Sequence, residues 1–147
     1  MLRITSILLA TAVLALGSPN FSGHWKLNAD KSKLDDPYQE ERTIEHKDPD
    51  MTVNIKSVSD GEESESAAKY RTDGKETRTM IDGDPQFSTA HWDGDALVVD
   101  SQIVSDTDTY EFHDRWTLST DGKVLTITRK QKVGRDERDL LFVYDLL

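Results

Sequence analysis

The chain contains no cysteine. Disulfides, thiolate metal ligands, a thiol nucleophile and a lipid-modified N-terminal cysteine are all removed at once. The fold must therefore rest on core burial and a complete set of backbone hydrogen bonds. An excess of basic charge is also missing: 18 Lys and Arg stand against 28 Asp and Glu, for a net charge of −10. Nucleic acid is excluded as a partner on that ground. The acids are scattered over turns and strand faces, apart from the run Asp60 to Glu65, and read as solubility and a monomeric state. After residue 17 no long apolar run occurs, and no amphipathic stretch is long enough for a helix that could cover a sheet. Ala29 to Leu34 has room for one turn.

The first 17 residues differ from the rest. Arg3 supplies a positive start, Ile4 to Leu16 are apolar except for Thr5, Ser6 and Thr11, and Ala15-Leu16-Gly17 offers small residues for cleavage. The run is short for a membrane span and lacks a flanking basic cluster. The expectation is a cleaved signal peptide over 1–17, export to the periplasm or outside the cell, and no stable membrane anchor afterwards. Residues 18–147 then make one domain, long enough to bury a core and too short for two.

Five Asp-Gly pairs punctuate that domain, at Asp60, Asp73, Asp82, Asp93 and Asp121. Asp-Gly between apolar or β-branched runs is a strong hairpin signal. The first four lie so close together that one strand fits between successive turns and a crossover helix does not. Consecutive strands should then be antiparallel neighbours. Alternation is clear at Met51-Val53-Ile55, at Tyr110-Phe112-Asp114-Trp116-Leu118, at Leu125-Ile127 and at Leu140-Phe142-Tyr144-Leu146. The pattern predicts an all-β, up-and-down antiparallel meander of eight to ten strands. Laid flat, it would leave two exposed edges and a bare apolar face. Closure into a barrel removes both, with a two-sheet sandwich as the alternative.

The register of one hairpin can be read directly. Counting outward from Asp121-Gly122 with an even loop sets Leu118 opposite Leu125, Trp116 opposite Ile127 and Asp114 opposite Arg129. A three-residue loop would put Trp116 opposite Thr126 and waste the apolar face. The even register places Asp114 and Arg129 as an inward cross-strand pair. Two readings of that pair stand side by side: it fixes register at a barrel end, or it holds Arg129 ready for a ligand carboxylate.

The segment Phe21-Ser22-Gly23-His24-Trp25-Lys26-Leu27 carries a Gly-x-Trp on the first strand and resembles the opening motif of lipocalins and the wider calycin group of ligand-binding barrels. Together with Tyr70 to Lys75, Trp92 to Val99 and Arg115 to Thr128, the chain is similar to secreted bacterial lipocalin-like proteins of unassigned function. The resemblance implies a barrel closed at one end by Trp25, with a late basic residue, here Arg129, packing over that tryptophan. Thr107-Asp108-Thr109-Tyr110 only approximates the central Thr-Asp-Tyr motif of lipocalins.

Chemistry-bearing patterns are thin. His24 and His113 alternate opposite to apolar neighbours and should face solvent, and no His-x-His pair appears, so no metal site is expected. Asp82-Gly83-Asp84, Asp93-Gly94-Asp95 and Asp106-x-Asp108 are fragments of calcium loops without the full ligand series, and hairpin turns account for them. No nucleophile with a base and no facing carboxylate pair assembles on the inner face, so no catalytic residue and no cofactor is named. The expected role is binding of a small apolar or amphiphilic molecule, one with a carboxylate included, by Trp25, Tyr110, Phe112, Asp114, Trp116, Arg129 and Phe142. The alternatives are a filled barrel with a structural or interaction role and no internal ligand, and an unidentified barrel enzyme. Interior space discriminates between the first two.

Overall fold

The computed structural model describes residues 17–147. The signal-peptide assignment to 1–17 therefore lies almost wholly outside the described residues. Ten antiparallel strands follow one another: β1 (Gly23–Leu27), β2 (Gln39–Lys47), β3 (Asp50–Ser59), β4 (Glu62–Arg71), β5 (Thr77–Ile81), β6 (Asp84–Asp93), β7 (Ala96–Val104), β8 (Thr109–Leu118), β9 (Val124–Val133) and β10 (Asp136–Leu146). No helix occurs among the described residues, and Ala29 to Lys31 form the single turn expected after β1. The hydrogen-bonded order is β4-β3-β2-β1-β10-β9-β8-β7-β6-β5, so the first and last strands of the chain pair in the middle of the wall.

The turns explain most of this meander. Ser59 pairs with Glu62 and Ile81 with Asp84, leaving Asp60-Gly61 and Asp82-Gly83 as two-residue loops with positive φ at both positions, 51° and 80° in one and 49° and 87° in the other. That is the type I′ geometry whose twist matches the flanking strands. At Asp93-Gly94 the loop shifts by one: Asp93 pairs with Ala96 and the turn residues are Gly94-Asp95. Gly134-Arg135 makes an equivalent two-residue turn between β9 and β10, which no Asp-Gly marks in the sequence. The Asp121-Gly122 hairpin has the even register, with Leu118 opposite Leu125, Trp116 opposite Ile127 and Asp114 opposite Arg129.

Asp73-Gly74 departs from the expected pattern. It ends β4 without making a hairpin, because Gly74 N–H donates to the Ala90 carbonyl and Asp73 bridges to His91, both on β6. The strands β4 and β5 are the two ends of the sheet and share no ladder. Threonine side chains span the seam instead: Thr77 Oγ1 donates to the Lys69 carbonyl (2.7 Å), and Lys69 N–H donates to Thr79 Oγ1 (3.3 Å). The barrel is thus nearly closed, with one seam held by hydroxyls.

Burial is uneven along the strands. At the end holding the β6–β7 and β8–β9 turns, Phe21, Trp25, Met51, Val53, Ala90, Leu97, Leu125 and Ile127 are sealed. At the other end the inward positions Ile55, Thr79, Ile103, Tyr110, Gln131, Val133 and Leu140 are only half-buried. One end of the barrel is therefore packed solid and the other stands open.

Candidate functional site

Above the packed end lies a layer of polar side chains pointing inward, set there by the period-two alternation of the strands. Glu40 and Arg42 on β2 share the inward face with Ile44 and are 5% and 6% exposed. Arg42 Nε donates to Glu40, while Tyr144 and Tyr38 hydroxyls donate to the same carboxylate at 2.9 and 2.8 Å. The Arg42 guanidinium lies over the rings of Tyr144 (4.9 Å) and Trp116 (5.8 Å). Burial would push the Glu40 carboxyl up, but the Arg42 charge and the hydrogen bonds from Arg42, Tyr38 and Tyr144 outweigh it and hold the group below the ordinary carboxylate range. Burial, reinforced by Glu40, drives the Tyr38 hydroxyl well above its usual range. Tyr144 is also driven far up, by burial first and by Glu40 against the opposing Arg42 charge.

The second pair comes from β8 and β9. Arg129 donates through Nε and Nη2 to the two oxygens of Asp114, both at 2.7 Å, in the two-pronged geometry. Its guanidinium lies between Phe112 (4.4 Å) and Phe142 (5.3 Å). Arg129 does not pack over Trp25, contrary to what the lipocalin resemblance implied. The Trp25 indole N–H instead donates to the Phe21 carbonyl (3.0 Å). The residue paired beside Trp25 on β2 is Arg42. Because Asp114 is buried, leaving either partner alone strands a charge. In a double-mutant cycle of Asp114→Asn and Arg129→Met, we expect a coupling of roughly 1–3 kcal/mol in denaturant unfolding. Additive effects would show that the pair contributes nothing to stability.

The expected site residues fall at three levels. Trp25 and Trp116 lie in the packed end, 1% exposed; Phe21 meets Trp116 edge-on at 5.8 Å and Tyr70 does so at 6.1 Å. Asp114, Arg129, Phe112 and Phe142 form the middle, with Phe142 stacked on Tyr144 at 6.4 Å. Tyr110 stands at the mouth, where it lines a cavity of about 230 Å³ with Gln131, Val133, Asp136 and Arg138. Glu40, Arg42, Tyr38 and Tyr70 were not anticipated. The Arg42-x-Ile44 alternation carried the only signal, since it gives Arg42 the parity of an apolar residue.

His24 and His113 face outward as their parity predicts, their side chains about half exposed, each beside a carboxylate. His46 does not. It is buried at the closed end, its ring stacked against Phe21 (5.7 Å) and Trp92 (5.9 Å), with Nδ1 accepting from Phe21 N–H and Nε2 meeting Asp48 Oδ1. Outside the barrel, a shallow trough of about 850 Å³ crosses β6 to β10 between two outward rows that include Thr89, Asp100, His113, Lys130 and Asp139. The His113–Asp100 pair (2.5 Å) already occupies part of it.

Comparison with known proteins rests on structure. No family model and no curated protein sequence matches the chain. Among solved structures, a secretory abundant heat soluble protein from Ramazzottius varieornatus superimposes with a TM-score of 0.62 at 15% identity, over 86% of this chain and 94% of that one. Zebrafish ileal bile acid-binding protein complexed with cholic acid matches with a TM-score of 0.62 at 14% identity, over 86% and 98%. The fold is an all-β antiparallel barrel like theirs. A Schistosoma mansoni fatty acid binding protein in complex with arachidonic acid gives 0.57 at 16% identity, over 86% and 96%. This barrel shares with them its antiparallel β architecture, at identities that establish the fold alone.

Proposed function

We propose that the protein is an exported, monomeric binding protein that takes a small apolar or amphiphilic molecule into the open half of its barrel. The supporting observation is the change in burial along the strands. Inward positions that are sealed at one end become half-buried at the other, above a floor of polar side chains. A concave, mostly apolar wall with a few convergent polar groups is the usual form of a small-molecule site. The neighbours whose names record bile acid and fatty acid binding lend the reading further support. Export rests on the leader over 1–17.

The polar floor supports binding better than acid–base catalysis. Arg42 and its hydrogen-bond donors hold Glu40 in its ionised form, and burial holds the tyrosines in their neutral form, so each is fixed in one state near neutral pH. A proton-transfer group works best when its pKa lies near the operating pH. The filled-barrel reading is favoured by the packed end, where Phe21, Trp25 and Trp116 meet.

Dye uptake separates the two. A hydrophobic fluorophore should bind with one-to-one stoichiometry and be displaced by lipid extracts, and native mass spectrometry after gentle extraction should find a bound small molecule. Absence of both uptake and adduct at saturating dye would leave the filled barrel as the correct description.

A further inference from the structure

The acids inside the barrel are fully engaged, whereas several donors are not. Glu40 accepts from Arg42, Tyr144 and Tyr38, and Asp114 accepts twice from Arg129. Two arginines and two carboxylates cancel, so the layer carries no formal charge. Among the described residues, none accepts from the two terminal nitrogens of Arg42 or from the remaining Nη1 of Arg129, and these atoms are not sealed off, so solvent reaches them. The Tyr70 hydroxyl accepts from Gln86 Nε2 at 3.5 Å and donates to no described residue. These groups belong together: Tyr70 and Arg42 both pack on Trp116, and Tyr70 lies within electrostatic reach of Asp114, Arg42 and Arg129. The Gln86 carbonyl, whose amide nitrogen donates to Tyr70 and Ser88, is the acceptor standing against them.

A donor that gives up its water to an entering guest costs free energy unless the guest brings an acceptor in its place. A guest that brings a charge as well must leave water for a layer already neutral, inside a chain of net charge −10. Resting on the reading of the open half as a binding cup, we propose that the cup takes a neutral, acceptor-headed apolar molecule, such as a carbonyl compound or an ester, in preference to the corresponding free acid. Arg42, Arg129 and Tyr70 meet the acceptor oxygen, and the half-buried Ile55, Ile103, Val133 and Leu140 meet the chain.

Methyl decanoate, decanoate and decane, titrated against the prebound dye at neutral pH, test this. Methyl decanoate should displace the dye at a concentration about tenfold below that needed for decanoate. Equal or tighter binding of decanoate would overturn the proposal while leaving the binding cup in place. Failure of the dye itself to enter would remove the cup and the proposal together. Tyr70→Phe keeps the ring against Trp116 and deletes one donor. It should weaken methyl decanoate by about three- to tenfold without changing decane, and its melting curve should stay close to that of the parent. An equal effect on ester and hydrocarbon would show that Tyr70 acts only through packing, and the donor account would then be wrong.

Discussion

Arg42→Met should lower the unfolding free energy by about 3–5 kcal/mol, because it leaves Glu40 charged and enclosed without its counter-ion. Tyr38 and Tyr144 would remain as its hydrogen-bond donors, and neither carries a charge. Replacing both members, as Glu40→Leu with Arg42→Met, should restore much of the loss, since two charges then stay out of the interior. Urea unfolding of the two single variants and the double variant measures this directly. A double variant that loses the sum of the single losses would show that the two side chains do not act as a pair.

The same pair sets an acid dependence. Glu40 titrates below the ordinary carboxylate range in the folded protein, so the folded state binds its proton less readily than the unfolded chain does. Its contribution is complete above the unfolded value of about 4.3 and disappears as pH falls through the lower folded value. Stability measured from pH 6 down toward pH 2 should fall more steeply in the parent than in the double variant. Parallel curves would contradict the assignment.

Trp25→Ala is the second large effect, at about 3–5 kcal/mol. The side chain is 1% exposed, and its indole N–H is already satisfied by the Phe21 carbonyl, so truncation removes packing and leaves that carbonyl unpaired. The surroundings cannot collapse easily. Gly23 approaches so closely that a β-carbon there would stand 2.7 Å from Leu146 Cδ1 and 3.2 Å from Trp25 Nε1, at a φ of +155° that other residues rarely adopt. Gly23 is thus the partner that lets Trp25 seal the end, and this is the physical content of the Gly-x-Trp motif in this chain. A shift in unfolding midpoint smaller than that of an ordinary surface substitution would place Trp25 outside the core.

Strand parity is readable wherever apolar residues alternate, because a slip of one residue would turn the whole apolar set outward. The alternation of Leu118, Trp116 and Asp114 is therefore enough to assign their partners Leu125, Ile127 and Arg129. Charged residues on the inner face are less readable. Glu40 and Arg42 occupy inward positions, yet a charge in a strand ordinarily marks its wet face, and only partnering inside the barrel makes the exception affordable. His46 escapes the pattern for the same reason: its polar atoms are satisfied by Phe21 N–H and Asp48, and the Phe21 contact is a neighbour in space that no local spacing marks.

The seam is not legible in the sequence either. Asp73-Gly74 is the same dipeptide that closes two tight hairpins, and what diverts it is a hydrogen bond to Ala90 on a strand still to come. Gly134-Arg135 closes a hairpin with only the glycine as its mark. Local turn chemistry thus specifies a loop, and the tertiary partner decides whether its flanking strands pair. The expected ligand residues divide along the same line. Parity places Trp116 inside, as observed, but among the described residues it is the buried side chain whose nitrogen lacks a partner, sealed in the packed end and not lining the mouth.

Mapping amide chemical shifts while a bound dye or methyl decanoate is titrated in tests the central claim most directly. A ligand in the open half should move the resonances of Ile55, Ile103, Tyr110, Gln131, Val133 and Leu140 in a saturable, one-to-one manner, while Leu97, Leu125 and the Trp25 indole stay in place. Shifts confined to the outer rows of Thr89, Asp100, His113 and Lys130, or none at saturation, would contradict it.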